Sequence, residues 1–386
     1  MRIDTTAMRI LICPDKFKEC MTAANVARHI RNGILKIYPG ADCRLIPMAD
    51  GGEGTVEALV EATGGSFAKC RVLDPLMRKI DSGIGMSGDG KTAIIEMASA
   101  SGLALLNHEE RNPLVTSSFG TGELIRHALD LGCHWIILGI GGSATVDGGV
   151  GMAQALGMRF LDAAGQEIGP GGGSLDNLCK INRSALDPRL SQCAISVACD
   201  VSNPLTGING AAAVYGPQKG ATALMVKQLD KNLKHLAQVI QQEIGKEVEF
   251  IPGAGAAGGM GAGIVAFLGG ELKSGWELIS RVVKLESWIR WAHLVITGEG
   301  KMDFQTGFGK TPAGVAVLAN RQRKPVIAFT GALSGDPDHF REMGFTGVIP
   351  ITDMPMTLEH SMDNTGRLLE NAAERTFRMI RLGEDL

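Results

Sequence analysis

Acidic residues follow several of the predicted strands, and they are the side chains of this chain best suited to chemistry. These carboxylates, each in a loop after an apolar run, are Asp15, Asp50 with Glu53, Asp147, Asp200, and Glu299 with Asp303. The lysines that accompany them are Lys16, Lys18, Lys301 and Lys310. Ligands of open α/β sheets bind beyond the carboxyl ends of the strands. Phosphoryl transfer needs carboxylates for Mg²⁺ and for a hydroxyl proton, and cations for the phosphates. The shared placement therefore predicts phosphoryl transfer, although any one carboxylate could instead be a solvated loop residue or a helix cap.

Residues 135–151, WIILGIGGSATVDGGVG, combine a strand, a glycine-rich turn and a helix start. The apolar run Ile136–Ile140 predicts a strand that is buried on both faces, as in a parallel sheet. Small side chains after it leave backbone N–H groups uncovered, which favours binding of an anion such as phosphate. The residues predicted to bind it are Gly141, Gly142 and Ser143. Asp147 lies inside the same turn, where it could hold a metal or cap the helix.

Weaker candidates lie elsewhere in the chain. Lys219 follows a glycine turn and could contact a phosphate. Arg71 and Arg78 could clamp a substrate carboxylate with paired hydrogen bonds, or could be ordinary surface arginines. Asp200 and Asn203 offer two oxygen ligands, or a base and its orienting partner, or only a turn before a proline.

Two well-known nucleotide motifs match, but neither fits its surroundings. Residues 85–92, GMSGDGKT, fit the P-loop expression, yet the residues on both sides favour strands, so we predict a hairpin turn. Residues 139–144, GIGGSA, fit the dinucleotide fingerprint with Asp162 at the ribose position. Gly148 and Gly149 interrupt the helix that the fingerprint requires. An anion-binding turn is therefore predicted, and a nicotinamide-dependent oxidoreductase of small hydroxy acids is kept as an alternative.

The composition excludes some functions and partners. The 386 residues carry a net charge of −3, with no basic block and few aromatic residues, which argues against nucleic acid. The eight cysteines form no C-x-x-C pair and predict reduced thiols in the cytoplasm. Residues 250–270 are uncharged, but their glycine and alanine content and Pro252 favour a packed loop and helix over a membrane span. A homo-oligomer is left open.

The order of predicted elements gives the fold class. Strands at 8–13 and 43–48 alternate with helices at 22–38 and 55–63, and a similar rhythm returns after His293. Between these ends, short strands joined by turns precede further helices and strands. We predict an α/β protein with a discontinuous Rossmann-like parallel-sheet domain, residues 1–65 and 289–386, into which a mixed α/β domain, residues 66–288, is inserted.

Several long motifs, in order along nearly the whole chain, resemble the type-1 glycerate kinase family of bacteria. They are Pro14-Asp15, Phe17-Lys18, ADGGEGT at 49–55, IGGSATVDGGVGMAQALG at 140–157, ACDVSNPL at 198–205, YGPQKGA at 215–221, PGAGAAGGMGAG at 252–263 and ITGEG at 296–300. The resemblance implies transfer of the γ-phosphoryl group of ATP to a hydroxyl of D-glycerate, with Mg²⁺. It favours 2-phosphoglycerate over 3-phosphoglycerate as product. It also implies two α/β domains, one inserted in the other.

Four positions depart from the pattern of that family. The family usually has serine where Lys16 stands, glycine for Met77, asparagine for Val146 and arginine for Lys301. Changes in the site loops could retune substrate preference or lower activity. A non-catalytic sensor of a phosphorylated metabolite on the same fold is therefore a further alternative.

Under the kinase hypothesis each candidate receives a role. The catalytic residues are Asp200, as base or metal ligand, Lys18 and Asp15. The substrate-binding residues are Asp50, Glu53, Arg71 and Arg78. The ATP phosphates lie over Gly141, Gly142 and Ser143, with Lys219 nearby, and the metal candidates are Asp147, Glu299 and Asp303. The expected partner is the small-molecule substrate D-glycerate, with no nucleic acid and no membrane.

Overall fold

The computed structural model describes residues 8–49, 54–303 and 311–385. Within them the chain divides into two compact units. Unit 1 consists of Met1–Asp50, Glu57–Thr63 and Ile279–Leu386, and unit 2 of Gly51–Val56 and Gly64–Leu278. The domain boundaries at residues 65 and 289 stay a prediction.

The elements are named in chain order. The strands are β1 (Arg9–Ile12), β2 (Asp42–Leu45), β3 (Ser66–Leu73), β4 (Lys79–Met86), β5 (Thr92–Glu96), β6 (Trp135–Gly139), β7 (Arg159–Leu161), β8 (Lys180–Asn182), β9 (Ala194–Ala198), β10 (Glu271–Lys273), β11 (Leu294–Met302), β12 (Val326–Leu333) and β13 (Gly347–Pro350). The α-helices are α1 (Ala23–Leu35), α2 (Thr55–Thr63), α3 (Ala98–Ser101), α4 (Phe119–Asp130), α5 (Val150–Ala155), α6 (Ala211–Tyr215), α7 (Ala223–Ile244), α8 (Ala256–Gly263), α9 (Gly275–Val282), α10 (Leu285–Trp291), α11 (Thr311–Arg321), α12 (Pro337–Glu342), α13 (Leu358–Asp363) and α14 (Thr365–Asp385).

Unit 1 contains a five-stranded sheet in the order β13-β12-β11-β1-β2, and every pair in it is parallel. The Thr22 side chain caps α1 by accepting from Asn25 N, and Val26, Ile30 and Ile34 are fully buried at helical spacing. Helix α1 packs against α14 so closely that a Cβ at Gly33 would lie 2.3 Å from the Glu370 carbonyl oxygen. The parallel sheet places the carboxyl ends of β1 and β11 at the same edge.

Unit 2 contains a mixed six-stranded sheet in the order β10-β9-β6-β5-β4-β3. Strands β10, β9, β6 and β5 run parallel, and β4 and β3 continue the sheet antiparallel. Strand β6 lies between β5 and β9 with Ile136, Ile137 and Leu138 buried, so its unbroken apolar run faces protein on both sides. The prediction of the α/β fold class is confirmed.

Both motif interpretations can now be compared with the structure. Residues 87–90 form the turn of a β4–β5 hairpin, with Gly90 N donating to the Ser87 carbonyl oxygen at 2.9 Å, and Thr92 begins strand β5 and not a helix. The hairpin prediction is confirmed and a P-loop is excluded. After β6, the next helix begins at Val150, well beyond residue 144, and Asp162 is held in a local turn. The dinucleotide fingerprint at 139–144 therefore lacks its helix, which removes the basis of the oxidoreductase alternative.

Several small elements were not predicted, namely the antiparallel pair β7–β8, strand β10 and helices α9, α10, α12 and α13. Each is short, and short apolar runs carry little periodicity. The glycine-rich residues 250–270 form α8 and a π-helical segment, Ile264–Leu268, and most of them are buried. Within the described ranges every helix is too short or too polar to span a bilayer.

Candidate anion-binding turn and charged strand ends

The turn between β6 and α5, residues 140–149, has its carbonyl groups fixed by the interior of unit 2. The Gly142 carbonyl accepts from Leu103 N at 2.8 Å, and the Ala144 carbonyl accepts from Thr116 Oγ1 at 2.9 Å. The Thr145 carbonyl accepts from Lys219 Nζ at 2.8 Å. Neighbouring backbone approaches so closely that a Cβ at Gly258 would lie 1.8 Å from the Thr145 oxygen. The fold therefore holds this backbone from the carbonyl side.

The N–H groups at the start of the same turn, unlike these carbonyls, have no hydrogen-bond partner among the described residues. The backbone N–H groups of Gly141, Gly142 and Ser143 donate to no group in the part of the chain that the structure describes. Gly142 needs its glycine because its φ is +73°, but a Cβ at Gly141 would meet nothing within 4 Å. The packing of the protein thus gives no reason for glycine at 141, whereas a ligand that approaches the backbone would. Gly141 and Gly142 are exposed and Ser143 is buried beside them, and three adjacent N–H groups without a partner are suited to an anion.

Asp147 is buried and both of its carboxylate oxygens accept hydrogen bonds. Oδ2 accepts from Ser118 N and Ser118 Oγ at 2.8 Å and from Gly151 N at 3.3 Å, and Oδ1 accepts from Gly149 N at 3.2 Å. Burial raises the pKa of Asp147, and these hydrogen bonds oppose the rise. Two of these bonds satisfy the N–H groups of Gly149 and Gly151 at the start of α5, whose N-cap residue is Gly149. The metal role of Asp147 stays a prediction. Its partner Ser118 was not predicted, because a serine before a helix gives no signal for a contact 29 positions away.

Lys219 is also buried, and its ammonium group lies beneath the turn. Nζ donates to Ser143 Oγ at 2.6 Å and to the Thr145 carbonyl at 2.8 Å. Burial lowers the pKa of Lys219 to about 7, and the nearby charge of Asp147 opposes the decrease. The sequence predicted that Lys219 lies near the phosphate turn but gave no indication of its burial.

Asp200 follows β9 in unit 2 and is exposed. Its Oδ1 accepts from Gly275 N at 3.0 Å. Asn203 lies in the same loop, donates to the Asn209 carbonyl at 2.9 Å and accepts from the Tyr215 hydroxyl at 2.8 Å. The structure therefore fixes Asn203 in the loop and leaves the Asp200 carboxylate at the surface.

The two candidate arginines of unit 2 face carboxylates of the protein itself. Arg71 pairs with Asp81 at 2.9 Å on an exposed hairpin face. Arg78 pairs with Asp74 and with Glu110, both at 2.6 Å, and these contacts lower the pKa of Glu110. Their predicted role in substrate binding stays a prediction, and both have internal partners here.

In unit 1, two charged loops lie side by side at the carboxyl ends of β1 and β11. Asp15 is buried, with its N–H bonded to the Gly298 carbonyl at 2.8 Å and its Oδ1 accepting from Lys16 N at 2.7 Å. A Cβ at Gly300 would lie 3.5 Å from Lys18 N, which shows how near the loops are. The Lys18 side chain is exposed. Parallel pairing of the strands thus brings Asp15 and Lys18 to the last residues of β11 and those that follow.

Those residues carry the remaining metal candidates. Glu299 is half-buried within β11, and Asp303 pairs with Lys301 at 3.3 Å. No group of three or more His, Cys, Asp or Glu side chains in the described part of the chain could hold a metal ion. Asp50, Glu53 and Lys310 lie outside the described residues.

Fold and site together define an α/β protein whose described residues include a glycine turn with three N–H groups without a partner, and acidic residues at strand ends. The model of the glycerate kinase family matches residues 10–381, and the chain belongs to that family. It is 51% identical over 370 residues to the glycerate 2-kinase of Escherichia coli K12, covering 95% of this chain and 97% of that protein. It is 47% identical over 379 residues to the glycerate kinase of Bacillus subtilis 168, covering 98% and 99%. The crystal structure of putative glycerate kinase 2 from Salmonella typhimurium LT2 matches with a TM-score of 0.91 and 48% identity, covering 98% of this chain and 100% of that one.

Proposed function

We propose that this chain transfers the γ-phosphoryl group of ATP to a hydroxyl of D-glycerate, giving 2-phosphoglycerate and ADP. The observation that carries the proposal is the set of N–H groups at Gly141, Gly142 and Ser143 that have no partner among the described residues, on a turn whose Gly142, Ala144 and Thr145 carbonyls are bonded to the protein. Family membership supplies the reaction class, and the near-complete alignment to named glycerate kinases supplies the substrate.

The phosphates of ATP are proposed to bind over residues 141–143. Backbone donors bind phosphate oxygens without the conformational entropy loss of long side chains, and here they are already fixed in place. The buried Lys219 adds positive charge just beneath the turn.

Glycerate is proposed to bind near Asp15 and Lys18, with Asp50 and Glu53 as further contacts. A carboxylate substrate is matched by the exposed ammonium of Lys18. Asp200 is proposed as the base that accepts the hydroxyl proton, since its carboxylate is exposed and its backbone partner, Gly275 N, holds it in place.

Mg²⁺ is proposed to accompany ATP, and bound to the phosphates it would offset the charge that develops during transfer. The described residues hold no preformed cluster of protein ligands, so most of its ligands would be phosphate oxygens and water. Glu299 and Asp303 are the carboxylates that we keep as candidates, because Asp147 is already occupied by four N–H and O–H donors. The eight free cysteines fit the reducing cytoplasm, where we place the protein.

The test is ADP release with MgATP and, in separate reactions, D-glycerate, L-glycerate, tartronate or no acceptor. ³¹P NMR of the product then resolves which hydroxyl carries the phosphate. We expect turnover with D-glycerate alone and the coupling pattern of 2-phosphoglycerate. A folded protein that binds MgATP and turns over no acceptor would contradict the kinase proposal and favour the sensor.

A further inference from the structure

We propose that Lys219 acts as a positioning residue, which orients the Ser143 hydroxyl and fixes the anion-binding turn without touching the phosphates. The inference rests on the proposed function, because it assigns the turn to ATP. It changes the role of Lys219 from a direct phosphate contact to a support of the groups that make that contact.

The backbone that carries Lys219 has little freedom. Lys219 N donates to the Gly216 carbonyl at 2.9 Å in a single tight turn. A Cβ at Gly216 would lie 2.3 Å from the Ala212 carbonyl oxygen, and one at Gly220 would lie 2.1 Å from the Arg111 carbonyl oxygen. Gly220 also has a φ of +90°. Close packing on both sides therefore directs the lysine side chain inward.

Most of the hydrogen bonds that the ammonium group can donate are made within the protein. Lys219 is 1% exposed, and two of its three N–H donors go to Ser143 Oγ and the Thr145 carbonyl. A ligand above the turn would meet the Ser143 side chain and the free backbone N–H groups first.

The contact with Ser143 also sets a direction. Below pH 7, where Lys219 is mostly protonated, its ammonium group has no acceptor, so in the 2.6 Å contact it donates and Ser143 Oγ accepts. The hydroxyl hydrogen of Ser143 must then point away from Lys219, which makes it available to a phosphate oxygen. Lys219 thereby converts a serine that could accept or donate into a donor, beside the free N–H group of the same residue.

The hydrogen bond to Thr145 has a second effect on the same turn. It satisfies a carbonyl that lies between Ser143 and the capping residue Asp147. The preceding N–H group, that of Ala144, donates to the Ser101 carbonyl at 2.9 Å, so the free donors of the turn end at Ser143. Both contacts therefore support the same donor set.

The experiment is a double-mutant cycle on MgATP binding with Lys219→Met, Ser143→Ala and the double variant, read by calorimetry. Each single change should weaken binding by about tenfold, the scale of one hydrogen bond to a charged group. The double variant should be no weaker than Lys219→Met, because the lysine acts through the serine. Lys219→Arg, which keeps the charge, should recover part of the loss.

The matched control is Lys246→Met. Lys246 is partly buried and, like Lys219, donates to a backbone carbonyl, that of Val265 at 2.7 Å, but this contact is not part of the turn. It should leave MgATP binding unchanged. Independent losses, about 100-fold in the double variant, would overturn the inference and restore a direct phosphate contact for Lys219. An affinity of Ser143→Ala for MgATP equal to that of wild type would also overturn the inference. This second test does not need Lys219→Met, so it still applies if that variant fails to fold. Coupled binding without turnover would reject the proposed kinase reaction alone, and wild-type protein that binds no MgATP would reject both.

Discussion

The turn after β6 in unit 2 and the strand-end loops of unit 1 use polar groups in opposite ways. At the turn, the buried side chains of Asp147 and Lys219 are hydrogen-bonded to the protein, and the N–H groups of Gly141, Gly142 and Ser143 have no partner among the described residues. In unit 1, the loop after β1 and the end of β11 place the charged side chains of Lys18 and Lys301 at the surface. Substitutions that disturb a site made of backbone groups should lower the stability of the fold. Substitutions of exposed side chains should alter function alone. The comparison predicts which substitutions unfold the protein and which only inactivate it.

Asp147→Ala should give the largest effect, and it should be on stability. The substitution leaves the N–H groups of Ser118, Gly149 and Gly151 and the Ser118 hydroxyl buried without their acceptor. We expect a loss of about 3–5 kcal/mol in the free energy of unfolding, measured by urea denaturation. Asp162→Ala is the control, since Asp162 also accepts two backbone N–H groups but in an exposed turn, and it should cost about 1 kcal/mol. Equal losses of stability in the two variants would show that the burial of Asp147 does not determine its contribution to folding.

Asp200→Asn tests whether exposure, and not the unit, decides between stability and function. Asp200 lies in unit 2 like the turn, but its carboxylate is exposed, and asparagine can still accept from Gly275 N. The turnover rate with D-glycerate should fall by about 10²-fold or more, the scale of a lost general base, with little change in stability. Asp230→Asn is the control, because Asp230 accepts from Gly207 N in a comparable surface contact. A nearly unchanged turnover rate in Asp200→Asn would remove it from the catalytic residues.

Lys219 should make the stability of the protein depend on pH. Its pKa is about 7 in the folded protein and near 10.5 when exposed, so between these values the unfolded chain holds a proton that the folded chain has released. The free energy of unfolding should therefore rise with pH above 7, by about 2 kcal/mol up to pH 9. Lys219→Met should remove this contribution, so the difference between wild type and variant should change with pH in parallel measurements. Curves that stay parallel from pH 7 to 9 would contradict a buried, readily deprotonated lysine.

Lys18→Met examines the unit 1 side of the comparison. An exposed ammonium contributes little to folding, so the melting temperature should stay within about 2 °C of wild type. If Lys18 binds the glycerate carboxylate, KM for D-glycerate should rise about tenfold with KM for ATP unchanged. Lys69→Met, on an exposed strand, is the matched control and should alter neither constant. A rise in KM for ATP instead would move Lys18 to the nucleotide.

The sequence predicted the elements and the turn well because their signals are local. The apolar run before Gly141, the Thr22 cap and the Ser87–Gly90 hairpin each depend on neighbouring residues. Helix α7 likewise has local signals at both ends, because Thr222 caps its start and Gly245 has the positive φ expected of a helix end.

What the sequence could not supply were contacts between distant residues. Ser118 with Asp147, and Lys219 with Ser143, join positions 29 and 76 apart. The composition of the turns predicted that Asp147 and Lys219 lie near a bound anion. In the structure both are buried: Asp147 accepts hydrogen bonds at the start of α5, and Lys219 lies beneath the turn. The burial of a charged side chain depends on the packing of the whole unit, which no local pattern reveals.

Met77→Gly should give the smallest effect and the opposite sign. Met77 lies in the turn between β3 and β4 at a φ of +63°, in the left-handed region that costs a side-chain-bearing residue about 1–2 kcal/mol. Glycine removes that cost but adds freedom to the unfolded chain, worth about 0.5–1 kcal/mol. The free energy of unfolding should rise by about 0.5–1 kcal/mol. Turnover should stay unchanged, since Met77 belongs neither to the glycine turn at residues 140–149 nor to the charged strand ends of unit 1. Met77→Ala is the control that keeps the strain while removing the long side chain, and it should bring no gain. The family resemblance predicted glycine at position 77. An altered KM in Met77→Gly would therefore show that this departure affects the substrate site, and Met77 would then count as a functional position.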